Sequence, residues 1–297
     1  MQLGLENGKV YFEYEACRWA VGNIREECNR RAVDIAGYGN KIMLGMSSGL
    51  DSQIVLLSFL QQHIPIELVF MYLPGYNEYE YANLKILEQA WGFKSQIIDF
   101  DPNKIKDELI ETSIELNIPP NQIMHRKLLS MLPDSCDFLQ GWDGPFILFK
   151  EGKPYYYEGY NSYEVSRHRA FNSLNRTGRN IIYDRSSECI MSMLHDEVMQ
   201  GFIHSHKFFE DNALQYQGKI LKRIDWWDFY VKPIMYGKHW KDELFYFKKY
   251  QGPEGIDFIM DGPENQWRKQ YITVPLDNFI SDLNKPIGSV TRYYETK

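Results

Sequence analysis

The fold is decided by the stretch Lys41-Ile-Met-Leu-Gly-Met-Ser-Ser-Gly-Leu-Asp-Ser-Gln-Ile-Val-Leu-Leu-Ser-Phe-Leu60. It predicts a buried strand, a turn of small residues and then a helix. Small residues at a helix start let backbone N–H groups approach an anion closely, and the helix dipole attracts negative charge. We therefore predict a phosphate site at this turn, formed by Ser47, Ser48, Gly49, Leu50, Asp51 and Ser52.

The carboxylate in this turn predicts a metal ion. Asp51 would repel phosphate oxygens unless Mg²⁺ lies between them, so Asp51 is the candidate magnesium ligand and a candidate catalytic residue. The hydroxyl groups of Ser47 and Ser52 offer additional donors to phosphate. The chain contains no Gly-Lys-Ser/Thr, which argues against a kinase-type or ATPase-type phosphate loop.

The pattern Ser-Ser-Gly-Leu-Asp-Ser after an apolar strand resembles the Ser-Gly-Gly-x-Asp-Ser loop of the N-type ATP pyrophosphatases, the PP-loop superfamily. Its members include the synthetase domain of asparagine synthetase, β-lactam synthetase and several tRNA-modifying enzymes. The resemblance implies ATP as substrate and Mg²⁺ as cofactor. Ser48 stands where the family has its first glycine. If that position needs a positive φ, a serine there strains the backbone of the turn.

A second segment reads Leu68-Val-Phe-Met-Tyr-Leu-Pro-Gly75 and continues through an alanine-bearing helix to a strand ending at Phe100. It is similar to the asparagine synthetase pattern, in which the end of the second strand holds adenine through its backbone. The resemblance assigns that role to Val69, Phe70 and Met71. A generic strand-helix-strand unit is the alternative, because Pro-Gly and helix-ending glycines are common.

A third segment, Phe138-Leu-Gln-Gly-Trp-Asp-Gly-Pro-Phe146, is similar to the family's Leu-Ser-Gly-x-Gly-x-Asp-Glu turn. The resemblance assigns nucleotide binding to Gly141. Pro145 and Phe146 occupy the family's acidic positions, so Asp143 is the candidate replacement carboxylate. A turn-forming Asp-Gly is the equal alternative for Asp143.

A late segment, Phe247-Lys-Lys-Tyr-Gln-Gly-Pro-Glu-Gly-Ile256, is similar to the family segment whose lysine contacts the phosphates and the adenylated intermediate. By position that lysine is Lys249, with Lys248 in reserve. A positive point charge suits this task because charge develops on the α-phosphate. A solvated Lys-Lys pair at a helix end is the alternative.

Charge and cysteine usage restrict the possible partners and compartment. The chain of 297 residues has 33 basic and 40 acidic residues and a net charge of −7, which disfavours nucleic acid as a partner. The first twenty residues have no signal-peptide pattern and no apolar run is long enough for a membrane helix, so we expect a cytoplasmic protein. The four cysteines are scattered without Cys-x-x-Cys, which disfavours zinc-bearing and sulfur-transferring superfamily members.

Alternating strands and helices predict an α/β fold, with a parallel twisted sheet and helices on both faces, of the PP-loop (HUP) type that the resemblance implies. Residues 1–40 are predicted to form a hairpin and a helix from about Tyr14 to Ala36, and residues 41–145 the ATP-pyrophosphatase core. Residues 146–297 are predicted to form a mostly helical, aromatic-rich extension on the substrate side, opening with a second hairpin. One continuous synthetase-like domain is the alternative division.

Together these features predict an ATP-dependent, AMP-forming carbon–nitrogen ligase that adenylates a small-molecule carboxylate and transfers it to ammonia or an amine. Gln2 stands where asparagine synthetase has its glutaminase cysteine, so we expect free ammonia, an amine or a separate amidotransferase subunit as donor. Two alternatives stay open: a PP-loop enzyme that modifies a nucleobase or tRNA, and a nucleotide-binding scaffold that has lost catalysis.

Overall fold

The computed structural model describes residues 2–6, 9–116, 120–141, 147–150, 153–159, 171–183, 186–204, 233–247 and 271–294. The strands are β1 Gln2–Glu6, β2 Lys9–Glu15, β3 Ile42–Gly45, β4 Glu67–Tyr72, β5 Ser95–Asp99, β6 Asp137–Gln140, β7 Ile147–Lys150, β8 Lys153–Gly159, β9 Asn180–Ile182, β10 Tyr271–Pro275 and β11 Val290–Tyr294. The helices are α1 Ile24–Ala36, α2 Leu50–Gln61, α3 Glu78–Trp91, α4 Pro102–Leu116, α5 Pro120–Ser130, α6 Ser187–His195, α7 Glu197–His204 and α8 Leu276–Leu283, with a π-helical turn at Pro233–His239.

Within the described residues, the central sheet has five parallel strands in the order β5-β4-β3-β6-β9. The chain starts this sheet in the middle at β3, adds β4 and β5 on one side, and then crosses to add β6 and β9 on the other side. This is the doubly wound arrangement, in which the strand order reverses next to the first strand. The predicted α/β class with a parallel sheet is therefore confirmed.

Both faces of the central sheet are covered by helices. Ile42 and Leu44 of β3 belong to a core cluster with buried residues of α1, α2, α3 and α6, whereas Met43 belongs to a second cluster with buried residues of α4 and α5. Successive strand residues point to opposite faces of a sheet, so the two clusters lie on opposite faces. Helix α2 is buried on nearly its whole circumference from Leu50 to Phe59.

The described residues also form two antiparallel sheets of three strands each, in the orders β1-β2-β11 and β10-β8-β7. The first joins the two ends of the chain, because Val290 pairs with Glu15 and Thr291 with Tyr14. The hairpins β1–β2 and β7–β8 agree with the predicted hairpins. Their predicted turns at Asn7-Gly8 and Glu151-Gly152 lie outside the described residues.

The predicted start of the first helix was wrong. Tyr14 and Glu15 belong to β2, and α1 begins only at Ile24 after Asn23, whose side chain forms a capping box with Glu26. Strands β9, β10 and β11 were not predicted within the extension expected to be mostly helical. They are short and pair with partners distant in the sequence, so local periodicity did not indicate them.

No described helix combines the length and the apolar character needed to cross a membrane.

Gly178 allows the segment before β9 to lie close to the segment before β6. A Cβ atom at Gly178 would lie 1.9 Å from the backbone oxygen of Cys136. We predict that Gly178→Ala lowers the free energy of unfolding by about 3 kcal/mol, because backbone must move to admit the methyl group. Urea unfolding measures this change.

The matched control is Gly201→Ala in α7, where an added Cβ meets nothing within 4 Å. Alanine is the better helix former, so this variant is expected to keep or gain up to about 1 kcal/mol. Equal stability of the two variants would contradict the packing at Gly178.

Candidate functional site

The turn that is predicted to bind phosphate lies at the point where the strand order reverses. The turn from Ser47 to Ser52, called the elbow below, leaves the carboxyl end of β3 and enters α2. Gly141 leaves the carboxyl end of the adjacent strand β6. Ligands of open α/β sheets bind in the crevice outside these strand ends, so the fold brings the elbow and Gly141 to the expected place.

Gly141 lies directly against the elbow. A Cβ atom at Gly141 would be 3.2 Å from the Cβ of Asp51 and 3.6 Å from the backbone nitrogen of Ser52. The first distance is closer than ordinary van der Waals contact, so a side chain at this position would crowd the first turn of α2. Two segments that are far apart in the sequence therefore form one site.

The elbow is braced from inside by one hydroxyl group. Ser52 is 1% exposed, and its Oγ lies 2.7 Å from the carbonyl oxygen of Ser47 and 3.0 Å from that of Gly49. The same oxygen accepts the N–H of Ser47 at 3.2 Å. This hydroxyl therefore holds the shape of the elbow, whereas the half-buried Ser47 lies closer to the surface.

The start of α2 has an N-cap residue without a side chain. Gly49 is the N-cap residue of α2, with φ −69° and no side-chain cap hydrogen bond. Its N–H donates to Ser47 Oγ at 3.2 Å. Asp51, half-buried in the first turn, is the acidic residue of this helix start. Backbone N–H groups at such a start, together with one carboxylate, suit a phosphate and its cation.

Ser48 fits its position without strain. Among the described residues, the non-glycine residues with positive φ are His63 and Asn175, so Ser48 does not need the conformational freedom of glycine. Its side chain is buried, and its Oγ lies 3.4 Å from Nδ2 of the buried Asn83 on α3. The Ser48 hydroxyl group thus points to the interior. A serine at this position therefore does not cover the exposed backbone of Gly49.

The end of β4 presents its backbone beside the elbow. The Met46 N–H donates to the Val69 carbonyl at 2.8 Å, so Val69 and, two residues later, Met71 direct their backbone groups to the side of β3. Phe70 pairs with β5 instead. Asn77 holds this strand end by donating to the Met71 carbonyl at 2.8 Å and accepting the Leu73 N–H at 2.7 Å.

The end of the segment 233–247 packs along α2 through Glu243 and Phe245. Gln61, at the end of α2, donates to Glu243 at 2.7 Å. Gln53, in the first turns of α2, donates to the Phe245 carbonyl at 2.9 Å and accepts the Phe245 N–H at 2.8 Å. The chain of this segment therefore runs from the end of α2 toward its beginning.

A charged cluster holds the other end of this segment. The Asp196 carboxylate caps α7 by accepting the Val198 N–H at 2.9 Å and contacts Lys238 Nζ at 3.0 Å and His239 Nε2 at 3.3 Å. Burial opposes the charge on Asp196, but these hydrogen bonds outweigh it and lower its pKa. Burial lowers the pKa of His239, and the Asp196 carboxylate offsets part of that effect.

Two predicted catalytic residues, Asp143 and Lys249, lie outside the described residues, as does Lys248. The other predicted site residues fall into the elbow, the end of β4 and Gly141, which meet at one edge of the sheet. Sequence reasoning missed Gln53, Asn77 and Asn83. Gln53 had a visible signal, since it is a polar residue directly before the apolar run Ile54–Leu57 in a helix predicted to be buried.

Among the described residues, no three His, Cys, Asp or Glu side chains are grouped so as to hold a metal ion. Within the elbow, the side chain that can bind a cation through a carboxylate is that of Asp51.

Comparison of the chain with known protein families and with curated protein sequences gives no match.

The brace of the elbow makes a stability prediction. Ser52→Ala removes the acceptor of the Ser47 N–H and the hydroxyl proton that the Ser47 and Gly49 carbonyl groups share, from a side chain that is 1% exposed. We expect a loss of about 2 kcal/mol in the free energy of unfolding. Ser130→Ala is the control, because that exposed hydroxyl donates only to the Lys127 carbonyl of its own helix. Equal losses in urea unfolding would contradict the brace.

The charged cluster makes a pH prediction. The lowered pKa of Asp196 means that its ionised form stabilises the fold above its ordinary pKa of 3.8, and that this stabilisation disappears as the pH falls through the folded-state value. Asp196→Asn keeps a capping oxygen but loses the charge, so we expect a loss of about 1 kcal/mol at pH 7.

The difference between wild type and Asp196→Asn is expected to shrink as the pH is lowered below about 4. Urea unfolding across pH 3–7 measures it. The neighbouring Glu197→Gln serves as control, because this side chain is 82% exposed and contacts Lys238 at the surface. A difference for Asp196→Asn that stays constant with pH would contradict the ion pair.

Proposed function

We propose that this protein is an ATP-dependent ligase of the PP-loop (HUP) type, which adenylates a carboxylate and transfers the acyl group to ammonia or an amine. The observation that carries the proposal is the contact of Gly141 with Asp51 and Ser52 at the switch point of the sheet. It joins the two sequence motifs that resemble the N-type ATP pyrophosphatases, although they are far apart in the chain.

In the proposed complex the triphosphate of ATP lies over the elbow. The N–H groups of Gly49, Leu50 and the following first turn donate to phosphate oxygens, and the dipole of α2 favours their negative charge. Adenine lies beside Val69 and Met71, whose backbone groups face the elbow side of β4. Because Gly141 has no side chain, it leaves space for the nucleotide beside the first turn of α2.

Asp51 fits the role of magnesium ligand. Mg²⁺ in nucleotide sites keeps several waters and takes one or two protein carboxylates besides phosphate oxygens, so a single half-buried aspartate at the helix start suffices. The ion would neutralise phosphate charge during the departure of pyrophosphate. The protein's own contribution is to hold the triphosphate in one orientation relative to the attacking carboxylate.

The proposed reaction has two steps. A carboxylate oxygen of the substrate attacks the α-phosphorus of ATP, and the bond from this phosphorus to the bridging oxygen breaks, which releases pyrophosphate and leaves an acyl-adenylate. The nitrogen of ammonia or an amine then attacks the acyl carbon, AMP departs, and the nitrogen loses a proton. The nitrogen donor comes from solution or from a separate amidotransferase subunit.

The docking of the segment 233–247 supports Lys249 as the cation of this site. Gln53 fixes the backbone of Phe245 next to the elbow, and Lys249 follows Phe245 by four residues in the sequence. Four residues of extended chain span about 14 Å at most. Lys249 and Asp143 thus remain proposed catalytic residues, assigned by the resemblance.

The cysteines weigh against a sulfur-transferring relative. Cys28, Cys136 and Cys189 are buried, and burial raises the pKa of the partly buried Cys17 thiol to about 12. A persulfide chemistry needs an accessible thiolate near neutral pH. Amide formation requires no thiol, and it is therefore the function that these side chains favour.

The test is an assay of pyrophosphate and AMP with ATP, Mg²⁺ and a panel of carboxylic acids, with and without ammonium. The proposal predicts equal amounts of pyrophosphate and AMP that require one acid, and amide product that requires the nitrogen donor. A requirement for RNA would instead favour a base-modifying enzyme. Tight ATP binding with no pyrophosphate under any condition would favour a scaffold.

Asp51→Asn tests the metal-ligand role in the same assay. We expect at least about a hundredfold loss of pyrophosphate release, because charge compensation at the phosphates weakens. Asp99→Asn is the control, since Asp99 ends the edge strand β5 at the same edge of the sheet but away from the elbow. Equal activity of the two variants would contradict the role of Asp51.

A further inference from the structure

The Gln53 side chain joins the elbow to the segment 233–247. It is fully buried, and its Nε2 donates to the carbonyl oxygens of Ser48 and Phe245, both at 2.9 Å. Its Oε1 accepts the Phe245 N–H at 2.8 Å. Both N–H donors and the carbonyl oxygen of the amide are therefore used.

The contact with Ser48 sets the direction of a peptide group. In a trans peptide the C=O of one residue and the N–H of the next point in opposite directions. Because Gln53 holds the Ser48 carbonyl toward the interior, the Gly49 N–H must point outward. That N–H donates to Ser47 Oγ at 3.2 Å, on the opposite side of the peptide from Gln53, and in the proposed complex a phosphate oxygen would replace this acceptor.

The contact with Phe245 is a two-point match to a backbone peptide. A primary amide that donates to the C=O and accepts from the N–H of one residue fixes its position and its orientation. The Phe245 ring also packs against Trp91, with ring centroids 5.7 Å apart. An apolar side chain at position 53 would fill the same space, but it would leave the buried Ser48 carbonyl and the partly buried N–H and C=O groups of Phe245 without this partner.

We propose that Gln53 is a positioning residue of the phosphate site, which keeps the Gly49 N–H directed at the nucleotide phosphates and ties this orientation to the docking of Phe245. The inference rests on the proposed function, because it assigns the outward side of the elbow to phosphate. It adds that the segment 233–247 and the nucleotide stabilise one another through a single buried amide.

The variant Gln53→Met tests this role because it nearly conserves volume and removes all three hydrogen bonds. Affinities for Mg-ATP, Mg-pyrophosphate and AMP are measured by calorimetric titration. We expect about tenfold weaker binding of Mg-ATP and Mg-pyrophosphate, because the Gly49 N–H would no longer be held in the orientation in which it donates to a charged phosphate oxygen. AMP lacks the two outer phosphates, so its affinity is expected to change less than threefold.

Gln61→Met is the matched control. It breaks the contact of α2 with Glu243 in the same segment but leaves Ser48 untouched, so the affinity for Mg-pyrophosphate is expected to stay at the wild-type value. Equal weakening by the two variants, or weakening of ATP and AMP alike, would reduce Gln53 to a structural contact and overturn the inference.

A measurement on the wild type covers the case in which Gln53→Met fails to fold. Amide hydrogen exchange at Gly49 and Phe245 is followed with and without Mg-pyrophosphate. The inference predicts that both amides gain protection together. Protection at Gly49 with none at Phe245 overturns the coupling, whereas wild-type protein that binds neither Mg-ATP nor Mg-pyrophosphate overturns the proposed function itself.

Discussion

The close approach of β6 to β3 and to the first turn of α2 is the constraint on which the site depends. Two glycines permit it. A Cβ at Gly45 would lie 2.8 Å from the ring of Phe138 on β6, and a Cβ at Gly141 would lie 3.2 Å from Cβ of Asp51. A side chain at Gly45 would displace the buried Phe138 ring, and a side chain at Gly141 would crowd the first turn of α2 at the switch point. The absence of a side chain at Gly141 therefore leaves space where a nucleotide is proposed to bind.

Buried polar side chains fix the orientation of the backbone groups at this crevice. Ser52 braces the elbow, Gln53 holds the Ser48 carbonyl and Asn83 lies beside the Ser48 hydroxyl. Asn77 performs the equivalent task at the end of β4. Each of these groups is costly to bury unless its hydrogen bonds are made, so the set specifies one arrangement of the loops at the sheet edge. An apolar interior of the same volume would pack these loops without directing their peptide groups.

The sequence predicted what depends on local patterns. The strand, turn and helix of residues 41–60 follow from an apolar run, small residues and a second apolar run, and α3 ends at Gly92, which has φ +70°. The start of α1 was missed because Tyr14 and Glu15 pair with a strand near the other end of the chain. Strand β9 has three residues and becomes a strand by pairing with β6. No local pattern could show that Ser48 would meet Asn83 or that Gln53 would meet Phe245, because tertiary packing creates these pairs.

The most direct test of the account follows the backbone amides of Gly49–Gln53 by NMR while Mg-ATP is added, with AMP in a parallel titration. If the elbow binds the outer phosphates, these amides shift saturably with Mg-ATP and stay near their starting positions with AMP. If Mg-ATP binds and perturbs amides elsewhere while those of the elbow remain unchanged, the central claim is wrong.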